Sequence, residues 1–369
     1  MINLDAYNNN DADFLIRNVD AKFRPIFERK KYSENEKRAI YRYLFSRRPK
    51  KLPPSLKSRL INLYDPLADR SNKFPDGLRW CINVYVGCEN SCGYCYVNGY
   101  SQKIVGIFPH TKVKFEKNIN DDLHALKALG VPPAPIHMSN STDPLQETLE
   151  KRNRHTLLSL KKISEHRNLF TSIVILTKNP KFLCSEPYLH IIRNPEMSPF
   201  TVQVSCAYWN DEVRSFYEPK APDIHSRLES IRFLSEHGID VDLRIDPLLP
   251  SSRVPEKIRH HSPLPHYSLP EAQSHKDMIN LIRFAKNANC KTVISKTLKI
   301  PISKNSQICK DWFSAVYREA SPNKKLTIAG ASWRLPGSYQ KALISTISDI
   351  CTEQGIRFKH CMHDVLTRE

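Results

Sequence analysis

From about residue 82 onward, short apolar segments alternate with amphipathic segments along the chain. The apolar segments have the length of buried strands, and the segments between them carry apolar residues at helical spacing. This alternation predicts a parallel sheet with right-handed helical crossovers, because each crossover returns the chain to the same end of the sheet. The strand candidates are Ile82–Val86, Pro135–Ser139, Ser172–Thr177, Thr201–Ser205, Ile239–Ile245 and Thr292–Ser295.

Six strand–helix units are too few for a closed eight-strand barrel. The predicted fold is therefore α/β, a partial (β/α)6 TIM-type barrel over residues 80–300, with its chemistry at the carboxyl ends of the strands. Residues 1–79 are predicted to form a basic helical N-terminal extension, with a helix over about residues 34–47. Residues 301–369 are predicted to form a small C-terminal α/β extension, with a helix over about residues 338–353.

The charge of the chain points to an anionic partner. The 369 residues include 56 Lys and Arg against 38 Asp and Glu, a formal net charge of +18. The excess of positive charge is concentrated between Arg17 and Arg59, where several tyrosines are interleaved. In the same stretch, the capping box of Ser33 with Glu36 predicts the start of a helix. Basic residues with interleaved aromatics are typical of nucleic-acid-binding surfaces. The alternative is a solvated basic helix that keeps the protein soluble.

The sequence also indicates where in the cell the protein is expected. No apolar run approaches the roughly 20 residues needed to span a membrane, so we expect no membrane partner. The first ten residues are polar and lack the apolar core of a secretory signal, so we expect a cytoplasmic protein. In a reducing compartment, the 10 cysteines favour metal ligands or redox groups over disulfides.

The densest chemical motif directly follows the first predicted strand. Cys88, Cys92 and Cys95 have the spacing C-x3-C-x2-C, which places three thiols on one short loop at the carboxyl end of that strand. Three thiolates can hold three corners of a cubane [4Fe-4S] cluster and leave the fourth iron open to a small molecule. The alternative is a structural zinc site, which would need a fourth ligand nearby.

The sequence around these cysteines resembles the signature of the radical S-adenosylmethionine (radical SAM) family. Gly-Cys-x-x-x-Cys-x-Tyr-Cys-Tyr over residues 87–96 is similar to the branch that contains spore photoproduct lyase and the DNA repair photolyase-like proteins. The resemblance covers about residues 80–300. It continues through residues 141–146, 176–178, 204–205, 218–222, 227–229, 238–239 and 246–250. It implies a radical SAM partial barrel that binds a [4Fe-4S] cluster through the three cysteines, together with S-adenosyl-L-methionine.

The resemblance to the radical SAM family implies an expected function. Its members use one electron from the cluster to cleave S-adenosylmethionine, and the resulting 5′-deoxyadenosyl radical takes a hydrogen atom from the substrate. The substrate is predicted to be nucleic acid, DNA more than RNA, in a lesion-repair-like lyase or base-modifying reaction. An electron donor such as flavodoxin or ferredoxin is the expected partner. The alternatives are a radical enzyme acting on a protein, peptide or small molecule, and a non-catalytic iron–sulfur protein that binds nucleic acid.

Five further residues are candidates for holding the cofactor. Tyr94 can pack against the adenine, and the hydroxyls of Thr142 and Ser205 can hydrogen-bond its polar groups. Lys178, at a place where family members use a lysine, can neutralise the carboxylate, and Arg244 can help as a fork donor. The alternatives are a core aromatic for Tyr94, a surface lysine for Lys178 and a structural salt bridge for Arg244.

Two residues, Cys206 and Tyr96, are candidates for hydrogen transfer. In spore photoproduct lyase a cysteine beside the turn after the second strand returns a hydrogen atom to the product radical, but residues 140–143 contain no cysteine. Cys206 is a candidate donor, and its alternative is a small buried core residue because adjacent strand residues face opposite sides. Tyr96 matches a family tyrosine involved in hydrogen transfer, and its alternative is packing.

A second group of possible metal ligands lies near the end of the sequence. Cys351, Cys361 and His363 are spaced more loosely than the ligands of known metal motifs. We therefore favour core or incidental roles for these residues over a second metal site.

Overall fold

The computed structural model describes the part of the chain that carries the predicted barrel. The described residues are 31–45, 60–63, 79–95, 109–139, 141–250, 264–301, 307–317, 322–323, 332–335 and 337–361. Within the basic stretch between Arg17 and Arg59, only residues 31–45 belong to this set.

The strands of the described residues are, in chain order, β1 (Ile61–Leu63), β2 (Trp80–Ile82), β3 (Tyr85–Val86), β4 (His110–Thr111), β5 (Ile136–Met138), β6 (Ile173–Thr177), β7 (Phe200–Ser205), β8 (Asp240–Leu248), β9 (Thr292–Thr297), β10 (Lys299–Pro301), β11 (Pro322–Asn323), β12 (Ser332–Arg334) and β13 (Arg357–His360). The α-helices are α1 (Glu34–Phe45), α2 (Phe115–Ala128), α3 (Glu147–Asn153), α4 (His155–Glu165), α5 (Tyr188–Ile192), α6 (Asp211–Tyr217), α7 (Ile224–Glu236), α8 (His275–Asn287), α9 (Gln307–Trp312) and α10 (Gly337–Glu353).

An eight-stranded sheet forms the centre of the structure, in the spatial order β1-β2-β5-β6-β7-β8-β9-β13. Strands β2 to β13 of this sheet run parallel, and β1 pairs antiparallel with β2 at one edge. The six predicted strands correspond to β2, β5, β6, β7, β8 and β9. The first prediction was displaced: β2 shares only Ile82 with the predicted range, and the end of that range forms β3, which pairs with β4 in a separate sheet. The predicted α/β partial barrel is therefore confirmed, with edges at β1 and β13 in the described residues.

Alternating burial explains why these segments form strands. Ile173 and Ile175 of β6 and Val202 and Val204 of β7 have no exposed surface. Each such side chain contributes roughly 1.5–3 kcal/mol when it is removed from water. The helices between the strands cover this apolar face. Three of them, α6, α7 and α8, have starts capped by a side chain; for example, Asn210 accepts a hydrogen bond from Glu212 N at 2.8 Å.

Both predicted extensions contribute a strand to the main sheet. Helix α1 begins at the predicted capping box of Ser33 and Glu36. It packs beside β1, where the Tyr43 hydroxyl donates to the Ile61 carbonyl at 2.7 Å. At the other edge, β13 from the C-terminal extension pairs in parallel with β9. The domain boundaries at residues 79/80 and 300/301 stay a prediction.

None of the helices in the described residues is both long enough and apolar enough to cross a bilayer.

Candidate functional site

Cys88, Cys92 and Cys95 lie on the loop that follows β3, here called the cysteine loop (residues 87–95). None of the three is in a disulfide bond. The Cys95 amide donates to the Cys92 carbonyl at 3.1 Å and folds the second half of the loop into a turn. The structure therefore places three soft ligands on one loop close to the strand ends, where active sites of this fold lie.

Burial dominates the electrostatics of these thiols. Burial, and then the Asp143 carboxylate, raise the pKa of Cys88 to about 12. Burial also raises the pKa of Cys92 well above its usual value, and the Lys178 ammonium opposes that rise. The ionised forms of Cys88 and Cys95 would further disfavour ionisation of Cys92. Three thiolates together therefore need a cationic centre to compensate them, and metal binding deprotonates coordinating thiols.

The chemistry of the donor set fits an iron–sulfur cluster. Thiolates are the ligands that such clusters take, and a cubane cluster binds each of them at a separate iron atom. Three thiols on one loop match such a cluster.

The turn after β5 supports the first half of the cysteine loop. The Thr142 hydroxyl and the Gln146 side-chain amide, the latter at 3.1 Å, both donate to the Gly87 carbonyl. The Gln146 side-chain carbonyl accepts the Glu89 amide at 2.7 Å. In this structure Thr142 therefore contacts the loop backbone, and its predicted contact with the cofactor stays a prediction.

Asp143 joins the same turn to the end of β6. One carboxylate oxygen accepts the Thr177 hydroxyl at 2.8 Å, and the other accepts the Lys178 amide at 2.7 Å. The second oxygen also accepts the side-chain amide of Asn90 at 3.1 Å. A single buried carboxylate thus fixes the cysteine loop, the turn after β5 and the end of β6 relative to one another.

Lys178 and Ser205, predicted separately, meet at the ends of β6 and β7. The Lys178 ammonium donates to the Ser205 hydroxyl at 2.8 Å, to the Tyr94 hydroxyl at 3.1 Å and to a carboxylate oxygen of Glu218 at 2.5 Å. Burial alone would lower the pKa of Lys178, but Glu218 holds it above the ordinary value. Because Ser205 accepts from the ammonium, its own hydroxyl proton remains available to donate to an anionic ligand.

Glu218 is the centre of this buried network. One carboxylate oxygen accepts from Lys178 and from the Tyr94 hydroxyl, and the other accepts from Arg227 at 2.7 Å. The side chains of Glu218 and Arg227 have no exposed surface. Burial alone would raise the pKa of Glu218, but the two cations lower it to about 2. The carboxylate is therefore ionised at neutral pH and bridges two cations.

Tyr94 lies between two of the cysteines and is 7% exposed. Its hydroxyl links the cysteine loop to the network through Glu218 and Lys178. The hydroxyl of Tyr208 is buried next to it but makes no hydrogen bond of normal geometry. This environment is closer to the alternative of a core aromatic, and the predicted packing of Tyr94 on an adenine stays a prediction.

Arg244 lies on β8 and is paired within the protein. Its guanidinium donates to Gln203 and to Asp246, both at 2.8 Å, and to the Cys361 sulfur at 2.7 Å. Burial opposes its charge, but Cys361 and Asp246 hold its pKa above the usual value. The geometry matches the alternative of a structural salt bridge, and the predicted role at the cofactor carboxylate stays a prediction.

The two candidates for hydrogen transfer have different outcomes. Cys206 has no exposed surface, and its sulfur lies 3.7 Å from the Tyr208 carbonyl. Burial raises its pKa to about 11. These observations match the alternative of a buried core residue, and its role as a donor stays a prediction. Tyr96 lies outside the described residues.

The possible second metal group is only partly described. Cys351 is fully buried in the core, Cys361 contacts Arg244, and His363 lies outside the described residues. Burial raises the pKa of Cys351 to about 12, as expected for a thiol in apolar surroundings.

Sequence reasoning assigned no role to four residues that build this site: Asp143, Gln146, Glu218 and Arg227. Their segments were recognised only as similar to the family. Glu218 and Arg227 are nine residues apart, and their pairing depends on how α6 and α7 fold against β7. A buried Glu and Arg within one motif is a usable signal, because such residues are seldom fully buried unless they are paired.

Comparisons with known proteins agree with this fold. A spore photoproduct lyase structure complexed with dinucleoside spore photoproduct aligns with a TM-score of 0.53 and 12% identity, over 79% of this chain and 78% of that one. A mutant of the same enzyme with bound AdoMet and the dinucleoside aligns with a TM-score of 0.53 and 13% identity, over the same shares. The predicted resemblance to this radical SAM enzyme is therefore confirmed at the level of the fold.

The sequence relatives are uncharacterized proteins with about one quarter identity to this chain. Uncharacterized protein ORF301 of Acidianus two-tailed virus is 25% identical over 192 residues, which cover 49% of this chain and 59% of that protein. Uncharacterized protein Rv2578c of Mycobacterium tuberculosis is 26% identical over 187 residues, covering 48% and 53%. The matches thus span between a half and three fifths of these relatives. No family model matches the chain.

Proposed function

We propose that the protein is a radical SAM enzyme. It holds a [4Fe-4S] cluster through Cys88, Cys92 and Cys95 and binds S-adenosyl-L-methionine beside it. The observation that carries this proposal is the set of three cysteines on one loop, none of them in a disulfide bond, supported by the buried groups at the ends of β5, β6 and β7. When bound, the two cofactors supply a 5′-deoxyadenosyl radical that abstracts hydrogen from the substrate.

The protein's own residues orient and shield this chemistry. The turn after β5 and the Glu218 network hold the two halves of the cysteine loop, so that the ligands are placed before the cluster binds. Lys178 supplies positive charge for the carboxylate of the cofactor, and Ser205 donates its free proton to the same group. Arg227 continues to compensate Glu218 when Lys178 turns towards a ligand.

We infer that the substrate is nucleic acid, DNA more than RNA. The formal net charge of +18 supports this, because a basic protein is attracted to a phosphate backbone. A spore photoproduct lyase of similar fold was solved with a dinucleoside lesion. The reaction would be a lesion-repair-like lyase or a base modification. The first electron would come from a small donor such as flavodoxin or ferredoxin.

Anaerobic reconstitution with iron and sulfide tests the cluster assignment. Wild type is compared with the triple variant C88A/C92A/C95A and with Cys184→Ala, which removes a partly buried thiol outside the loop. We expect about four irons per chain and a visible chromophore in wild type and Cys184→Ala, and neither in the triple variant. Equal iron in all three proteins would contradict the assignment.

The substrate class is tested by binding to a DNA oligonucleotide at several salt concentrations. Affinity that falls steeply as salt rises is expected, because bound phosphates release counterions. Absence of DNA binding at low salt, combined with cleavage of S-adenosylmethionine that a peptide or small molecule stimulates, would favour the alternative substrate classes.

A further inference from the structure

Helix α9, which follows residue 300, packs against the cysteine loop. The Cys309 thiol donates to the Gly93 carbonyl at 3.5 Å, although the two residues are 216 positions apart in sequence. On the other side, the Gly93 amide donates to the Tyr217 carbonyl at 3.0 Å. The backbone of the residue between Cys92 and Tyr94 is therefore held by α6 and α9 together.

The contact is close at residue 93. A Cβ built on Gly93 would fall well inside van der Waals contact with the terminal methyl of Ile308, and would lie 3.4 Å from its Cγ1 and 3.6 Å from its Cβ. An alanine here would have to displace the end of the Ile308 side chain, and a longer side chain would meet more of α9, so glycine lets the helix lie close to the loop. The sequence motif alone does not reveal this contact.

The contact region is largely apolar and buried. Trp312 of α9 has no exposed surface, and its ring lies 6.3 Å from the ring of Tyr217. Cys309 is 3% exposed and Cys92 is 8% exposed. Apolar groups around a metal site control the access of solvent and the local dielectric. Helix α9 thus supplies an apolar wall on the side of the loop that Gly93 faces.

We propose that α9 is a cover for the iron–sulfur site, and that Gly93 and Ile308 are the positioning residues that seat it on the cysteine loop. The proposal rests on the proposed function, because it is the cluster that the cover protects. It assigns to the C-terminal extension the task of excluding water and dioxygen from the part of the cysteine loop around Gly93, next to the ligand Cys92.

The test is the lifetime of the cluster in air. Wild-type protein and variants are reconstituted without oxygen and transferred to air-saturated buffer, and the decay of the visible chromophore is followed. Gly93→Leu lifts α9 off the loop, and we expect about a tenfold shorter half-life, the lower end of the effect of losing an outer-shell partner of a metal. Gly93→Ala has a smaller effect, about twofold, because the end of the Ile308 side chain can rotate.

A compensating pair makes the test specific. Ile308→Val removes the methyl that a Cβ at residue 93 would meet, so the double variant Gly93→Ala/Ile308→Val regains most of the wild-type half-life. Gly337→Leu is the matched control, because a Cβ there meets nothing within 4 Å, and it leaves the half-life unchanged. If the Gly93 variants fail to fold by circular dichroism, Ile308→Ala opens the cover without adding atoms and shortens the half-life instead.

The outcomes separate this proposal from the proposed function. Equal half-lives in wild type, Gly93→Leu and Ile308→Ala, with full iron content in each, overturn the cover and leave the radical SAM assignment intact. Shorter half-lives in these variants, with no cleavage of S-adenosylmethionine by any protein, support the cover and overturn the enzyme. A wild-type protein that takes up no iron overturns both.

Discussion

The two halves of the cysteine loop are supported in different ways. Residues 87–90 are held mainly by hydrogen bonds of Thr142 and Gln146 to the loop backbone, with one more from Asn90 to the Asp143 carboxylate. Residues 92–95 are held by a buried network in which Lys178 and Arg227 both pair with Glu218, and by the packing of α9. Breaking a buried ion pair costs more than removing one neutral hydrogen bond. The second half of the loop should therefore be far more sensitive to substitution.

The largest effect is expected from Arg227→Met. Among the described residues, the substitution leaves Glu218 paired with Lys178 alone, and it removes the buried donor to the carbonyls of Ser205 and Pro222. We expect a loss of about 3–5 kcal/mol in the free energy of unfolding, measured by urea denaturation. The control is Arg167→Met, whose ion pair with Glu196 is about half exposed, and which should cost about 0–1 kcal/mol. Similar costs for both variants would remove the distinction between the two supports.

The second prediction concerns pH. The folded state lowers the pKa of Glu218 to about 2, so its stabilising contribution is fully present above the unfolded value, near pH 4.5, and is lost as the pH falls towards 2. Wild type should therefore lose more free energy of unfolding than Glu218→Gln between pH 5 and pH 2, measured on cluster-free protein. Parallel pH profiles for the two proteins would show that Glu218 is not ionised in the fold.

The third prediction tests the first half of the loop. Gln146→Ala removes the hydrogen bonds to the Gly87 carbonyl and the Glu89 amide. We expect a cost of about 1–3 kcal/mol, because buried backbone groups lose their partners. The iron content after reconstitution should fall more than the stability does, since the loop carries the ligands. Unchanged iron content would show that the turn after β5 does not position them.

The smallest effect is expected from Tyr94→Phe. The hydroxyl donates to Glu218 and accepts from Lys178, but the carboxylate keeps both of its cations when the hydroxyl is removed. We expect a cost of about 1–2 kcal/mol and near-normal iron content. A loss as large as that of Arg227→Met would mean that Tyr94 is the main link between the loop and the network.

The sequence predicted the frame of the fold well, and the ligand role of the three cysteines stays a prediction. Period and composition identified β2, β5, β6, β7, β8 and β9, and the spacing of the three cysteines placed them on one loop after the first of these strands. It did not predict β1 or α9 because each depends on a partner distant in sequence: β1 pairs with β2, and α9 packs on Gly93. The hydrophobic periodicity of a sequence indicates local secondary structure and does not indicate contacts between distant segments.

The roles of the site residues were harder to predict than their positions. Lys178 and Ser205 were predicted separately to contact the cofactor, and the structure joins them by a hydrogen bond that the sequence did not predict. Glu218 and Arg227 were overlooked because only the folded chain shows that their charges are buried against each other. Arg244 was predicted to help bind the cofactor carboxylate; in the structure Gln203, Asp246 and Cys361 bind it, and its role at the cofactor stays a prediction. Neighbouring strands place the backbone of such residues side by side at the same end of the sheet. The hydrogen-bond partners of each side chain then determine its orientation.

The most direct test of the account is the formation of 5′-deoxyadenosine. Reconstituted wild type is reduced without oxygen, S-adenosylmethionine is added, and the product is quantified beside Cys184→Ala and the triple variant C88A/C92A/C95A. The account predicts product from wild type and Cys184→Ala and none from the triple variant. An intact, reduced cluster in wild type that yields no 5′-deoxyadenosine, with or without DNA, would contradict it and favour a non-catalytic iron–sulfur protein.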